Sequence, residues 1–192
     1  MSTYLVLHGY IQSSDIIRKK LKGFFGQDVN LIIPNAPIKI ESQEVDDRYG
    51  WFPLDKIDLA TAKTVTTDED ILRVLNNYDF SSTKIDGIIA FSQGCLAAAL
   101  LLGANKVKTN KLLLFSPIPC PLNWKYTIPN SIDCKLYYGV ADTLVIPKHS
   151  LAFVPALGNN HIETIEHRWG HVIPSTKQYK AEYNKFLKTN LI

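Results

Sequence analysis

Ser92 stands between two unlike stretches of chain: residues 85–91, I-D-G-I-I-A-F, are almost continuously apolar, and residues 93–102 are rich in Ala and Leu. A serine hydroxyl becomes a nucleophile when an imidazole takes its proton. An acid must hold that imidazole in the right tautomer, and backbone N–H groups must await the developing oxyanion. Asp142 and His171 follow Ser92 in the chain, and the amides can come from the turn His8-Gly9-Tyr10 and from Gln93. Locally the pattern is A-x-S-x-G, with Ala90 and Gly94 flanking the serine. Small residues at those two places let a strand and a helix approach closely while the turn pushes Oγ out above the sheet. The chemistry in view is acyl transfer.

Such groups must be carried by rigid elements. Apolar runs at residues 4–7, 29–33, 85–91, 111–115, 135–139 and 162–166 read as strands, and helical patterns cover 11–25, 68–78, 93–102, 148–153 and 177–188. Thr67 is placed to cap the helix that starts at Asp68, whose first turn is acidic. Strands alternating with helices predict a mostly parallel sheet of about six strands with helices on both faces. Catalytic groups collect beyond the carboxyl ends of the strands in such a sheet. His8-Gly9-Tyr10, Ser92-Gln93, Asp142 and His171 each follow a predicted strand. Their chain order, Ser then Asp then His, is that of the α/β-hydrolase fold.

Each candidate also has a plainer reading. Serine is a favoured helix N-cap, and on that reading Ser92 does no more than begin a helix. Four histidines follow Asp142: His149 falls in a predicted helix and His161 precedes the last strand at the wrong end of the sheet. His167, at the end of that strand, competes with His171, which follows Gly170 in a loop able to reach Ser92. Asp133 precedes its strand, and Asp142 itself suits a turn residue that satisfies local amides. His8 reads as structural, its ring fixing the turn around it. Cys95 reads as a small buried hydrophobe, and Cys120 has no imidazole assigned to its Pro-rich loop.

Further segments complete a pattern: L-H-G-Y-I-Q at 7–12, N-A-P at 35–37, Gly50-Trp51-Phe52, F-S-Q-G at 91–94, Y-G-V-A-D at 138–142 and H-R-W-G-H-V-I-P at 167–174. With these, nearly the whole chain resembles the FSH family of small serine hydrolases, itself similar to carboxylesterases that include acyl-protein thioesterases. The resemblance implies Ser92 as nucleophile, Asp142 as acid, His171 as base, and the amides of Tyr10 and Gln93 as oxyanion hole. It also implies that Trp51 and Phe52 wall the pocket. Ala90 stands at the first elbow glycine, Trp169-Gly170-His171 replaces Gly-Gly-His, and Ile146 separates Val145 from Pro147. These departures bear on the pocket rim and leave every catalytic atom in place.

Composition bounds the rest. The chain has 192 residues, 46% of them hydrophobic, enough for one α/β-hydrolase domain over 1–192. A net charge of +3, with the basic runs at 18–22 and 106–111 read as solvated surface, argues against nucleic-acid binding. Three cysteines without C-x-x-C spacing, no secretory leader and no apolar run near the roughly 20 residues of a membrane span point to a cytoplasmic protein. No Gly-rich phosphate loop or metal-ligand cluster is visible, so neither cofactor nor metal is expected. No large lid is expected between residues 115 and 135, only a Pro-rich loop whose Trp124 and Tyr126 are placed to line a shallow groove. The expected function is hydrolysis of small or short-chain carboxylic esters or thioesters. The alternative is a non-catalytic module of the same fold that binds a small apolar ligand or a protein partner.

Overall fold

The computed structural model describes residues 1–41, 47–53, 57–58, 63–64, 66–121 and 124–188. Its centre is a six-stranded sheet built from β1 (Ser2–Leu7), β2 (Val29–Ile32), β7 (Gly87–Phe91), β8 (Lys111–Phe115), β9 (Asp133–Gly139) and β10 (Ile162–His167). Spatial order is β10-β9-β8-β7-β1-β2, and every neighbouring pair is parallel. All six predicted strands are present. Two short antiparallel pairs were not foreseen: β3 (Ile38–Ile40) with β4 (Arg48–Gly50), and β5 (Ile57–Asp58) with β6 (Lys63–Thr64). Strands of two or three residues carry too little alternation to be read as period two.

Side chains alternate across the sheet and divide the core into two layers. Leu5, Leu7, Ile88, Ala90, Leu112, Leu114 and Leu136 face one layer, while Tyr4, Val6, Ile89, Phe91, Leu113, Phe115 and Tyr137 face the other. The first layer is covered by α2 (Asp68–Asn77), α3 (Gln93–Gly103) and α4 (Pro147–Leu157), which contribute Val74, Leu96 and Phe153 among others. The second is covered by α1 (Ser14–Lys20) and α5 (Lys177–Lys188), through Ile17, Tyr183 and Leu187. Central strands β7 and β8 are buried along their whole length. A parallel sheet with both faces covered selects such uninterrupted apolar sequences.

The helices follow local chemistry. Thr67 caps α2 in a capping box with Asp70, as its sequence predicts, and Ser13 caps α1 by accepting from the Ile16 amide. The predicted helix over 11–25 is shorter, Ser14–Lys20, because residues 8–13 are spent in the turn that follows β1. Helix α3 is buried from Gln93 to Leu102, which explains a sequence apolar on all sides rather than along one stripe. Between β8 and β9 the described residues form neither helix nor strand. Among the described residues, no helix is long and apolar enough to cross a membrane, and no group of side chains is arranged to hold a metal.

Candidate active site

At the junction of β7 and α3, Ser92 adopts φ 53° and ψ −119°, in a region that L-residues avoid. Its backbone occupies the N-cap position of α3, but its side chain makes no capping bond. Instead Ser92 Oγ lies 2.9 Å from His171 Nε2. The plainer reading of this serine as a helix cap therefore fails on the hydrogen bond that would define it. The turn is held by the Ser92 amide, which donates to the Phe115 carbonyl on β8 at 2.8 Å. It also depends on Gly94, where an added Cβ would lie 2.3 Å from the Leu7 carbonyl oxygen and 2.6 Å from that of His8. Ala90, at the other flank, is fully buried in the first core layer, so its methyl group is accommodated there.

His171 Nδ1 lies 2.7 Å from Asp142 Oδ2. The other carboxylate oxygen accepts from the Leu144 and Val145 amides at 3.0 and 2.9 Å. Asp142 thus does both things its sequence position allowed, organising its own turn with one oxygen and holding the imidazole with the other. Burial by itself raises its pKa, but the bonds from His171 and the two amides outweigh this and leave it below the usual carboxylate range. With Asp142 accepting at Nδ1–H, the lone pair of the neutral ring is on Nε2 and faces Ser92. The loop that carries His171 is pressed against the end of β9. A Cβ at Gly139 would come within 2.2 Å of the Trp169 carbonyl oxygen and 2.6 Å of that of Gly170.

The competing candidates fall elsewhere. His167 is buried at the end of β10 with neither ring nitrogen hydrogen-bonded, and desolvation lowers its pKa. His149 is buried in α4, His161 precedes β10, and Asp133 opens β9 at the far end of the sheet. Cys95, Cys120 and Cys134 are free thiols whose pKa values burial raises, which keeps them protonated and unreactive.

After β1, the His8 ring spans its turn as a structural brace. Nδ1 bonds the Gly9 carbonyl oxygen at 2.7 Å and Nε2 accepts from the Ala36 amide at 3.0 Å. This pattern requires the neutral ring, and burial lowers the pKa in the same direction. The Gly9 amide donates to Gln12 Oε1 at 3.1 Å, while the Tyr10 and Gln93 amides donate no hydrogen bond within the described structure. Tyr10 and Gln93 line the cavity of about 350 Å³ above Ser92. Its apolar surface comes from Ile11, Phe91, Ile118, Leu144 and Val145.

The aromatic residues expected at the pocket are not there. Trp51 and Phe52 are fully buried in the first core layer and do not line this cavity, because their backbone is pulled inward by Gln93. Gln93 Oε1 accepts from the Trp51 and Phe52 amides at 2.7 and 3.3 Å, and its Nε2 donates to the Phe52 carbonyl at 2.8 Å. Trp51 Nε1 in turn donates to the His8 carbonyl at 2.8 Å. Trp124 also lies away from the cavity, packed on the first core layer with its indole N–H bonded to the Tyr126 carbonyl at 2.6 Å. The Gln93 side chain is thus a brace that sequence reasoning missed. Lys20 was missed as well: it lines the cavity, although the basic run around it reads as solvated surface.

A model of the FSH1 serine hydrolases matches residues 1–183. The chain belongs to that family. An esterase of Drosophila pseudoobscura pseudoobscura is 27% identical to this FSH1-family chain over 212 residues, covering 97% of the chain and 71% of the esterase. A carboxylesterase from Mesorhizobium loti superposes with a TM-score of 0.72 at 16% identity, over 97% of this chain and 88% of that one. Acyl-protein thioesterase 2 of Zea mays superposes with a TM-score of 0.69 at 20% identity, over 97% and 92%. The two solved structures establish a shared α/β-hydrolase fold, and the family establishes a serine hydrolase.

Proposed function

We propose that this FSH1-family hydrolase cleaves carboxylic esters or thioesters of small acyl groups through Ser92, His171 and Asp142. The observation that carries the reading is the continuous relay from Ser92 Oγ to His171 Nε2 at 2.9 Å and from His171 Nδ1 to Asp142 at 2.7 Å. His171 takes the proton as Ser92 Oγ attacks the carbonyl carbon, and Asp142 stabilises the imidazolium that forms. The Tyr10 and Gln93 amides donate to the oxyanion. Collapse of the tetrahedral intermediate expels the alcohol or thiol, which leaves with the proton from His171. A water molecule deprotonated by the same imidazole then attacks the acyl-enzyme, and release of the acid restores Ser92. The partially charged amides cost no reorganisation, because the braced His8–Gly9 turn and the start of α3 already hold them.

Substrate size is read from the cavity. A volume of about 350 Å³ with an apolar lining suits a short acyl chain and not a long one. The test is hydrolysis of 4-nitrophenyl esters of increasing chain length by the wild-type protein, Ser92→Ala and His171→Ala. Wild-type kcat/KM is expected to peak at short chains, and each variant to lose on the order of 10⁴ to 10⁶ in kcat while keeping its circular dichroism. Retained turnover in either folded variant overturns the nucleophile–base assignment. A steady rise in kcat/KM towards long chains overturns the small-acyl reading and leaves the triad standing.

A further inference from the structure

The cavity above Ser92 adjoins a second one of about 360 Å³, and Phe91 and Lys20 line both. Elsewhere the second cavity is bounded by Phe24, Trp169, Val172, Ile173 and Pro174 among others. Among the described lining residues of the two cavities, Lys20 alone bears a formal charge. Its Nζ stands 5.6 Å from the centroid of the Phe91 ring, and the His171 ring lies 4.9 Å from the same ring between centroids. Phe91 is thus a shared neighbour of the ammonium and the imidazole, and all three side chains line the cavity above Ser92. Lys20 forms no ion pair with a carboxylate among the described residues, unlike Lys106, Lys111 and Lys135, which are each paired with at least one. The residue is exposed as a whole, yet desolvation lowers the pKa of its ammonium. A cation that is partly desolvated and has no carboxylate partner among the described residues, on an otherwise uncharged wall, is matched by an anion supplied from outside.

We propose that Lys20 is a specificity-determining residue that selects ester substrates carrying an anionic group, a carboxylate in the simplest case, a short distance from the scissile carbonyl. This inference rests on the hydrolase reading above. The anion meets the ammonium at the cavity wall while the carbonyl sits over Ser92, so the apolar lining binds the carbon chain and Lys20 reads its charged end. Sequence inspection passed over it because Arg18, Lys19, Lys20 and Lys22 form a single basic run. Only the fold separates them: Arg18, Lys19 and Lys22 line a different hollow, against Val29 and Leu31 on the outer strand.

The test compares matched esters. For charge on the acyl side, 4-nitrophenyl hydrogen glutarate is set against 4-nitrophenyl pentanoate. For charge on the leaving group, 4-carboxyphenyl butyrate is set against its neutral methyl ester, and all rates are corrected for uncatalysed hydrolysis. Wild type is expected to favour the anionic member of at least one pair by about two- to fivefold in kcat/KM, the size of effect a partly exposed charge pair gives. Added salt should reduce that preference. Lys20→Met is expected to abolish it, Lys20→Glu to invert it, and Lys19→Met to leave it as in wild type. Turnover without charge preference in either pair, or a preference that survives Lys20→Met, overturns the inference while leaving the hydrolase reading intact. No turnover of any of these esters by the wild-type protein overturns both.

Discussion

The two ends of the central sheet are made of similar elements and do opposite things with charge and strain. At the amino end, Lys111 Nζ meets Asp133 at 2.7 Å, and Lys135 meets both Glu163 and Glu182 at 3.1 Å. The hollow beside them, about 610 Å³, is larger than the cavity above Ser92. Lys111 and Lys135 there are already paired with carboxylates, and no hydroxyl there is aligned with an imidazole among the described residues. At the carboxyl end, three of the described non-glycine residues with positive φ follow strands directly or within a short turn: Ile11 after β1, Ser92 after β7 and Ser116 after β8. Ile11 is β-branched, so its φ of 55° is an uncommon and costly conformation. Volume is thus a poor guide to a reactive site in this molecule. Strain held by surrounding structure, together with polar groups aimed at one point, is the better one.

Three substitutions sharpen or break that contrast, beginning with the largest effect. Asp142→Asn removes the acceptor that selects the His171 tautomer, and kcat is expected to fall about 10⁴-fold with little change in KM. A loss below tenfold would mean that the carboxylate serves its own turn only, through the Leu144 and Val145 amides. Gly94→Ala forces a methyl group against the Leu7 and His8 carbonyl oxygens, which cannot move without shifting β1. Overpacking of this kind costs about 1 to 3 kcal/mol or more, and chemical denaturation should show it alongside a loss of turnover. Unchanged stability would show that the elbow relaxes freely and that its geometry is not imposed by the sheet. Asp133→Asn, at the opposite end, leaves the buried Lys111 ammonium without its carboxylate, at a cost of about 1.5 to 3 kcal/mol. Here kcat/KM is expected to stay at the wild-type value. A fall in turnover measured well below the denaturation midpoint would join the two ends functionally and end the comparison.

What the sequence reveals divides along the same physical lines. The six strands of the sheet were legible because burial on both faces leaves continuous apolar runs, and α2 because Thr67 and its acidic first turn mark a helix start. Ser92, Asp142 and His171 were legible because parallel topology turns a position after a strand into a position at one edge. The hairpin of β3 and β4 was not, since three-residue strands show no periodicity and its place is set by long-range bonds such as the Tyr49 amide to the Gln12 carbonyl at 2.8 Å. Trp51 and Phe52 were expected at the pocket, yet a large aromatic side chain suits a wall and a core equally well. What decides between these is the amide of Gln93, and that reach across 41 and 42 residues is invisible to local pattern. Lys20 was lost in its basic run for the converse reason: helix phase and neighbouring loops, not composition, give one lysine of that run a different environment.

Intact-mass spectrometry of the protein after exposure to a fluorophosphonate, beside Ser92→Ala treated identically, tests the central claim most directly. The account predicts a single adduct on the wild-type protein, mapped to Ser92 by peptide analysis and absent from the variant. A folded wild-type protein that forms no adduct, or one that is labelled equally in Ser92→Ala, would contradict it.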